Sequence, residues 1–482
     1  MTATALALAL TGVSFIAHDI PGLSVDSVDP FTGQNSGRFR NADLDGDGHP
    51  DLLLADSAYR SVDGWPDAAA AIEMPELRAA CDVWQGLLYC RVRAGLDVME
   101  WGEGHWRPVL THDIVWARWR PPDDSGGLWF ERFLHDMDAD GVPEIVIPAA
   151  TGLSVYVRDE TVYREAAVLD VLPPMALCTD GPQRLWPADA RSIRFPSRAM
   201  HCRLWLDGRH VTVITDEEGR GGEVWHVRRF AVDPRCGFEM TELESMQIAL
   251  PPGFEPCALN GDGMVDFAGG DWSFSDRMPV PSPVFETQAT TDGGRSIQVR
   301  RSRSFTPKCS FIDFDGDGDA DMITESMGVF DGGVRETANR MLTSRDVAHA
   351  IEVRFQDARG RFSEKADVCV RVTISLDKPL WRQTDFGNRY LAGELVDISG
   401  DFNGDGYRDL AVQNSPNRIS LFEYAGRGFP RQPAALLAFD DDAEVLVADV
   451  NADGLSDVAL VPRDGGSRAP SGKTKVYFAQ GE

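Results

Sequence analysis

The chain has 482 residues, 43% hydrophobic and 26% charged, which is enough apolar content to bury a large core and too much for a disordered acidic protein. Lys and Arg number 47 against 76 Asp and Glu, a net charge of −29 that argues against nucleic acid as a partner, because a surface for phosphates has to be locally basic. No apolar stretch reaches the roughly 18 to 20 residues of a membrane helix, so no membrane span is expected.

In chain order, residues 1–17 (MTATALALALTGVSFIA) read in two ways. They are of signal-peptide length but lack a basic start, the first basic residue being Arg38. Alternatively, VSFIAHDI is a β-strand that completes the last sheet of the chain beside TKVYFAQ near the C-terminus.

An acidic segment then begins at Asp43, with oxygen-bearing residues at alternate positions, Asp43, Asp45 and Asp47, a glycine at the sixth position, and Asp51 at the ninth. It recurs as Asp136, Asp138, Asp140 and Glu144, and as Asp313, Asp315, Asp317 and Asp321. Asn replaces the third-position acid in two further copies, Asp401, Asn403, Asp405, Asp409 and Asp449, Asn451, Asp453, Asp457. The copy at 258 keeps Asn260, Asp262 and Asp266 but has Ala258 in place of the first acid, and is expected to be the weakest.

A hard cation wants six to eight oxygens at about 2.3 to 2.6 Å, and such a loop can supply them. Positions 1, 3, 5 and 9 offer side chains, and position 7 (His49, Val142, Met264, Asp319, Tyr407, Leu455) offers its backbone carbonyl. Softer metals would call for His or Cys. Five or six calcium ions are expected.

Each copy is followed by a short apolar run, such as DLLLAD, EIVIP or DVALV, so that each loop joins a β-hairpin, and period-two strands such as LSVYVRD and ISLFEYAG follow further on. The minimal unit is near 50 residues, and the long interval from 136 to 258 has room for an extra unit around LWLDGRHVTV. This counts as seven units, six with acidic loops.

These loops resemble the FG-GAP or VCBS repeats, which also build the head of integrin α-subunits, and the resemblance covers essentially the whole chain. It implies an all-β, seven-bladed β-propeller spanning 1–482 as one domain, with calcium in the first hairpin of each blade. It also implies a secreted, surface or periplasmic setting. Radial closure is independently what short meanders need to hide their sheet edges.

The eight cysteines (Cys81, Cys90, Cys178, Cys202, Cys236, Cys257, Cys309, Cys369) are even in number and lie outside any zinc spacing, which favours disulfides, with free buried thiols as the alternative. Cys81 and Cys90, across CDVWQGLLYC, would staple neighbouring strands. The segments 57–80, 271–295 and 325–348 read as long inserts on the face away from the metals. They carry Tyr59, Trp65, Trp272, Phe274, Phe285, Met327 and Phe330, either as a partner-binding face or as a buried lid, and ETANRMLTSRDVA reads as a short helix.

No HExxH, GxSxG or P-loop occurs, and the nine histidines are scattered. The reading is thus a calcium-binding module for adhesion or subunit assembly. The alternative is a secreted lectin or polysaccharide-active enzyme, with Trp65 and Trp272 as stacking platforms.

Overall fold

The computed structural model describes residues 8–9, 13–20, 39–54, 57–74, 80–92, 95–112, 129–130, 133–148, 153–159, 162–171, 192–196, 200–217, 224–249, 254–257, 259–260, 266–275, 282–290, 298–302, 309–330, 334–439, 443–462 and 474–480. It divides the chain into two compact units, Asn35–Pro252 and Met1–Gln34 together with Gly253–Glu482. Each contains four sheets of four or five strands, and the chain is all-β apart from short helical segments, consistent with a propeller-like fold.

The first unit opens with the strands Phe39–Ala42, Asp51–Leu54, Ser57–Val62 and Trp65–Glu73, paired in that order. Asp51–Leu54 is buried at every position, as befits a run of leucines covered on both faces, whereas Trp65–Glu73 is mostly exposed. The same gradient runs through the third sheet: Ile145, Val146 and Ile147 are fully buried, while Val162–Leu169 turns only occasional residues inward.

Among the described residues the sheets number eight, where the motif spacing suggests seven units. The uncounted sheet lies between the loops at 43 and 136, in the strands Ala80–Trp84, Leu87–Val92, Gly95–Gly102 and His105–His112, with Trp129–Phe130 added in parallel. No acidic motif marks it. Its hairpins turn on Gln85-Gly86 and Glu103-Gly104, all four residues at positive φ, the geometry of a two-residue turn that matches strand twist. The segment LWLDGRHVTV forms the hairpin of Met200–Asp207 with His210–Glu217, in a five-stranded sheet that also lacks a loop.

Asp82 joins the second sheet to the third. Its Oδ2 accepts from the backbone N–H groups of Phe133 and Leu134 at 3.0 Å each, and its Oδ1 from that of Val83 at 2.9 Å. Burial pushes its carboxyl above the usual range, opposed by the charge of Arg40. Asp82→Ala strands the buried donors of Phe133 and Leu134, and we expect a loss of about 2 to 5 kcal/mol in chemical denaturation. A loss within experimental error would mean that the two sheets do not depend on this link.

In the second unit, Ser14–Ile20 pairs antiparallel with Thr474–Gln480, Ser14 opposite Gln480 and Ile20 opposite Thr474. The pair Leu8–Ala9 joins Ala435–Ala438. Val13 is buried among Phe402, Ile419 and Tyr477, so this N-terminal stretch shares the unit's core.

Two of the three presumed inserts are strands. Tyr59 and Trp65 lie on the first sheet, with Tyr59 only 4% exposed. Trp272 and Phe274 lie on Asp266–Ser275, Trp272 directly opposite Phe285 of Ser282–Thr290. In the third, Gly328–Phe330 is a single 3-10 turn, Met327 is fully buried, and the expected helix runs Val334–Thr343. A second helix, Asp385–Ala392, capped by Thr384, was not foreseen.

The expected disulfides are absent among the described residues. Cys90, Cys236 and Cys369 are free thiols, although Cys81 and Cys90 are direct cross-strand partners. The side chains of Cys81, Cys202 and Cys257, and Cys178 altogether, lie outside the described residues.

Candidate metal centres

Each acidic loop joins the first two strands of its sheet, and the loops share one set of backbone contacts. The first-position carboxylate accepts from the N–H of the sixth-position glycine: Asp43 from Gly48, Asp136 from Gly141, Asp401 from Gly406 and Asp449 from Gly454 at 3.0 Å each, and Asp313 from Gly318 at 3.2 Å. Those five glycines have φ between 86° and 92°, where a side chain is strained.

The fifth-position acid accepts from the seventh-position N–H, an Asx turn. The pairs are Asp47 with His49 at 2.8 Å, Asp140 with Val142 at 2.7 Å, Asp317 with Asp319 at 2.9 Å, Asp405 with Tyr407 at 2.9 Å and Asp453 with Leu455 at 2.8 Å. In the two Asn loops, Asn403 and Asn451 donate to Asp405 and Asp453 at 3.1 and 2.9 Å, which relieves part of the repulsion that the all-acid loops keep.

The ninth-position acid does more than the spacing suggested. Its outer oxygen accepts from the second-position N–H in all six loops: Leu44 to Asp51, Met137 to Glu144, Leu259 to Asp266, Phe314 to Asp321, Phe402 to Asp409 and Val450 to Asp457, at 2.7 to 3.1 Å. In four loops the other oxygen accepts an N–H from further along the chain, Ser61, Gln356, Tyr424 or Ala479. These acids are at most 4% exposed. Burial is the leading cause of the raised pKa values of Asp51, Glu144, Asp321, Asp409 and Asp457, pushing Glu144, Asp321 and Asp409 up to about 7 and Asp457 well above the usual carboxylate range.

Three carboxylates converge in each all-acid loop, with one oxygen apiece within 4.8 Å of the others: Asp43, Asp45 and Asp51; Asp136, Asp138 and Glu144; Asp313, Asp315 and Asp321. One buried oxygen of Asp315 has no hydrogen-bond partner, and burial with the Asp317 charge beside it pushes its carboxyl upward. An unpartnered carboxylate oxygen facing other carboxylates fits a hard divalent cation, which would satisfy it and cancel the repulsion together. Asp262 and Met264 lie outside the described residues, while Asn260 and Asp266 are within them.

The loops of the second unit are in direct backbone contact. Ala320 N–H donates to Leu259 at 2.7 Å, Arg408 N–H to Phe314 at 2.8 Å and Ser456 N–H to Asp401 at 2.7 Å, so that position 8 of each loop is tied to the loop before it. A Cβ on Gly316 would sit 2.7 Å from the Gly406 carbonyl oxygen, which excludes any side chain there. Sequence reading could not see these ties, because they connect residues as far apart as 95 positions, as in the bond from the Arg408 side chain to Asp313 O.

Of the aromatic residues proposed for a partner, Tyr59 and Trp65 lie on one sheet, Trp272, Phe274 and Phe285 on another, and Phe330 in the 3-10 turn Gly328–Phe330. Among the described residues no helix is long and apolar enough to cross a membrane.

No curated protein matches the chain. Among solved structures it is similar to an Agrocybe aegerita lectin described as recognising non-reducing terminal N-acetylglucosamine, at 14% identity and a TM-score of 0.34, covering 97% of this chain and 95% of that one. It is also similar to the V. cholerae biofilm matrix protein Bap1, at 12% identity and a TM-score of 0.28, covering 97% and 91%. Residues 401–460, which span the last two acidic loops, match the FG-GAP-like repeat. That stretch of the chain is therefore an FG-GAP-like repeat.

Proposed function

We propose that this is a calcium-loaded binding module on a propeller-like scaffold, working outside the cytoplasm in adhesion or assembly. The reading is carried by the recurrence of one backbone cage in five loops, with converging carboxylates in three and an unpartnered buried oxygen at Asp315. Calcium is the ion that suits an all-oxygen shell of mixed carboxylates, amide oxygens and carbonyls. Short, largely exposed loops of this kind suit the millimolar calcium found outside cells. The metal is structural in this reading, and binding falls to surfaces that the loops hold in place.

The test is a count of bound calcium by elemental analysis on dialysed protein, paired with thermal unfolding of variants. Five or six ions per chain are expected. Asp315→Ala and Asp45→Ala should each remove about one ion and lower the melting temperature by several degrees, on the order of 2 to 3 kcal/mol per site. Asp262→Ala, in the loop that already lacks its first acid, should cost less than either. No bound calcium would overturn the reading, and equal losses would overturn the ranking of the loops.

A further inference from the structure

The first two sheets of the unit Asn35–Pro252 line an open cleft of about 940 Å³ beside the acidic loop at 43–51. Its volume lies in the range of small-molecule sites, which combine apolar walls with a few convergent polar groups. The chain's own residues supply both.

One wall is the hairpin of Gly95–Gly102 with His105–His112. Trp101 and Trp106 are direct cross-strand partners on it, edge to face with ring centroids 5.4 Å apart. The tight Glu103-Gly104 turn brings Glu103 to the rim. Trp106 Nε1–H donates to the Glu73 carbonyl at 3.1 Å, which ties this wall to the strand Trp65–Glu73 opposite. That strand contributes Ala69, Ala70 and Ala71, three small residues that leave room above them. Both indoles pack partly on the core beneath, so the walls are formed before any ligand arrives.

Arg60 completes the site. The pairing of Ser57–Val62 with Trp65–Glu73 is broken between Tyr59–Ala71 and Ser61–Pro66, so that residues 67–70 bulge opposite Arg60 alone. The guanidinium lies 3.6 Å from the Asp45 carboxylate, and both residues line the cleft. Asp45 is also the third-position acid of the loop 43–51 and one of its three converging carboxylates. A cation in that loop and Arg60 compete for the same carboxylate.

We propose that this cleft binds a neutral saccharide, and that calcium in the adjacent loop strengthens the binding by drawing Asp45 away from Arg60. The chemistry of the lining selects the ligand class. The lining holds three acids, Asp45, Glu73 and Glu103, against Arg60 and His105, a balance that disfavours phosphates and other polyanions. A sugar ring offers an apolar C–H face to the indoles and, at its rim, hydroxyls that both donate to carboxylates and accept from a guanidinium. The calcium half of the proposal rests on the metal reading of the loops; the saccharide half does not.

The experiment is calorimetric titration of the full chain with four neutral probes, cellotetraose, chitotetraose, mannotetraose and galactotetraose, in millimolar calcium and again in chelator. At least one probe should bind with a Kd below about 1 mM in calcium and at least about threefold more weakly in chelator. Arg60→Ala should weaken binding by about tenfold or more and remove the calcium dependence. Ala71→Trp, at an exposed position of the lining, should abolish binding while leaving the melting temperature within a few degrees.

Heat from none of the four probes overturns the proposal, and so does unchanged affinity in Ala71→Trp. Equal affinity with and without calcium overturns the calcium half. A titration with calcium alone separates the two readings: absence of calcium binding removes the loop chemistry, whereas calcium binding without sugar binding removes only the cleft.

Discussion

Excess chelator is expected to lower the melting temperature by on the order of 10 °C relative to millimolar calcium. An ion held at about one hundred times its Kd stabilises the folded state by about 2.7 kcal/mol, and a domain of some 250 residues shifts by about 2 °C per kcal/mol. The unit formed by Met1–Gln34 and Gly253–Glu482 contains four of the six loops, those beginning at 258, 313, 401 and 449. Its loops are also tied in series by the backbone bonds from Ala320, Arg408 and Ser456. Loss of one ion there loosens the support of the next, so this unit should lose the most, visible by hydrogen exchange as deprotection that spreads from one loop to its neighbours. The loops at 43 and 136 in the other unit should respond more nearly as separate sites. An unchanged melting temperature in chelator, on protein shown to carry ions beforehand, would mean that the ions decorate the fold without supporting it.

Asp409→Ala is expected to destabilise the protein by about 2 to 5 kcal/mol, in chelator as well as in calcium. The carboxylate accepts from Phe402 N–H and Tyr424 N–H at 2.8 Å each, and it is fully buried. Its removal leaves two buried donors without acceptors, at about 1 to 3 kcal/mol apiece, whatever happens to the metal. Asp405→Ala, in the same loop, should behave differently: its cost should appear in calcium and largely vanish in chelator, since Asp405 is exposed and otherwise accepts only within the loop. Asp409→Asn should fall between, because an amide retains one acceptor oxygen for one of the two donors. Urea unfolding of the three variants in both conditions decides the matter, and an Asp409→Ala variant that costs nothing in chelator would reduce the ninth position to a metal ligand alone.

The acidic loops were legible in the sequence because their chemistry is local. The spacing of Asp43, Asp45 and Asp47 and the glycine at Gly48 act within a few residues, so the turn geometry follows directly from residue type. The hairpins on either side were legible for the same reason: an apolar run such as EIVIP can be satisfied only as a strand covered on both faces. The helix Val334–Thr343 and the strand beginning at Ser14 were also anticipated in outline.

What stayed hidden depends on residues distant in sequence. The sheet containing Ala80–Trp84 carries no acidic marker, and its Gly-turn hairpins look like any other, so that only its pairing shows it to be a sheet of its own. The aromatic residues Tyr59, Trp272 and Phe285 read as loop residues, on a partner face or in a lid, because a long interval between motifs looks like an insertion, whereas strand pairing across 57–73 and 266–290 places them on strands. The second role of the ninth acid arises because Oδ1 of Asp321 meets an N–H 35 positions away, at Gln356. Likewise the cleft depends on Trp106 reaching Glu73 and on Arg60 lying beside Asp45. Ligand type and turn are properties of a ten-residue segment; sheet count, buried staples and clefts are properties of which segments meet, and that is decided by the burial of apolar faces that many different pairings of the same strands could satisfy locally.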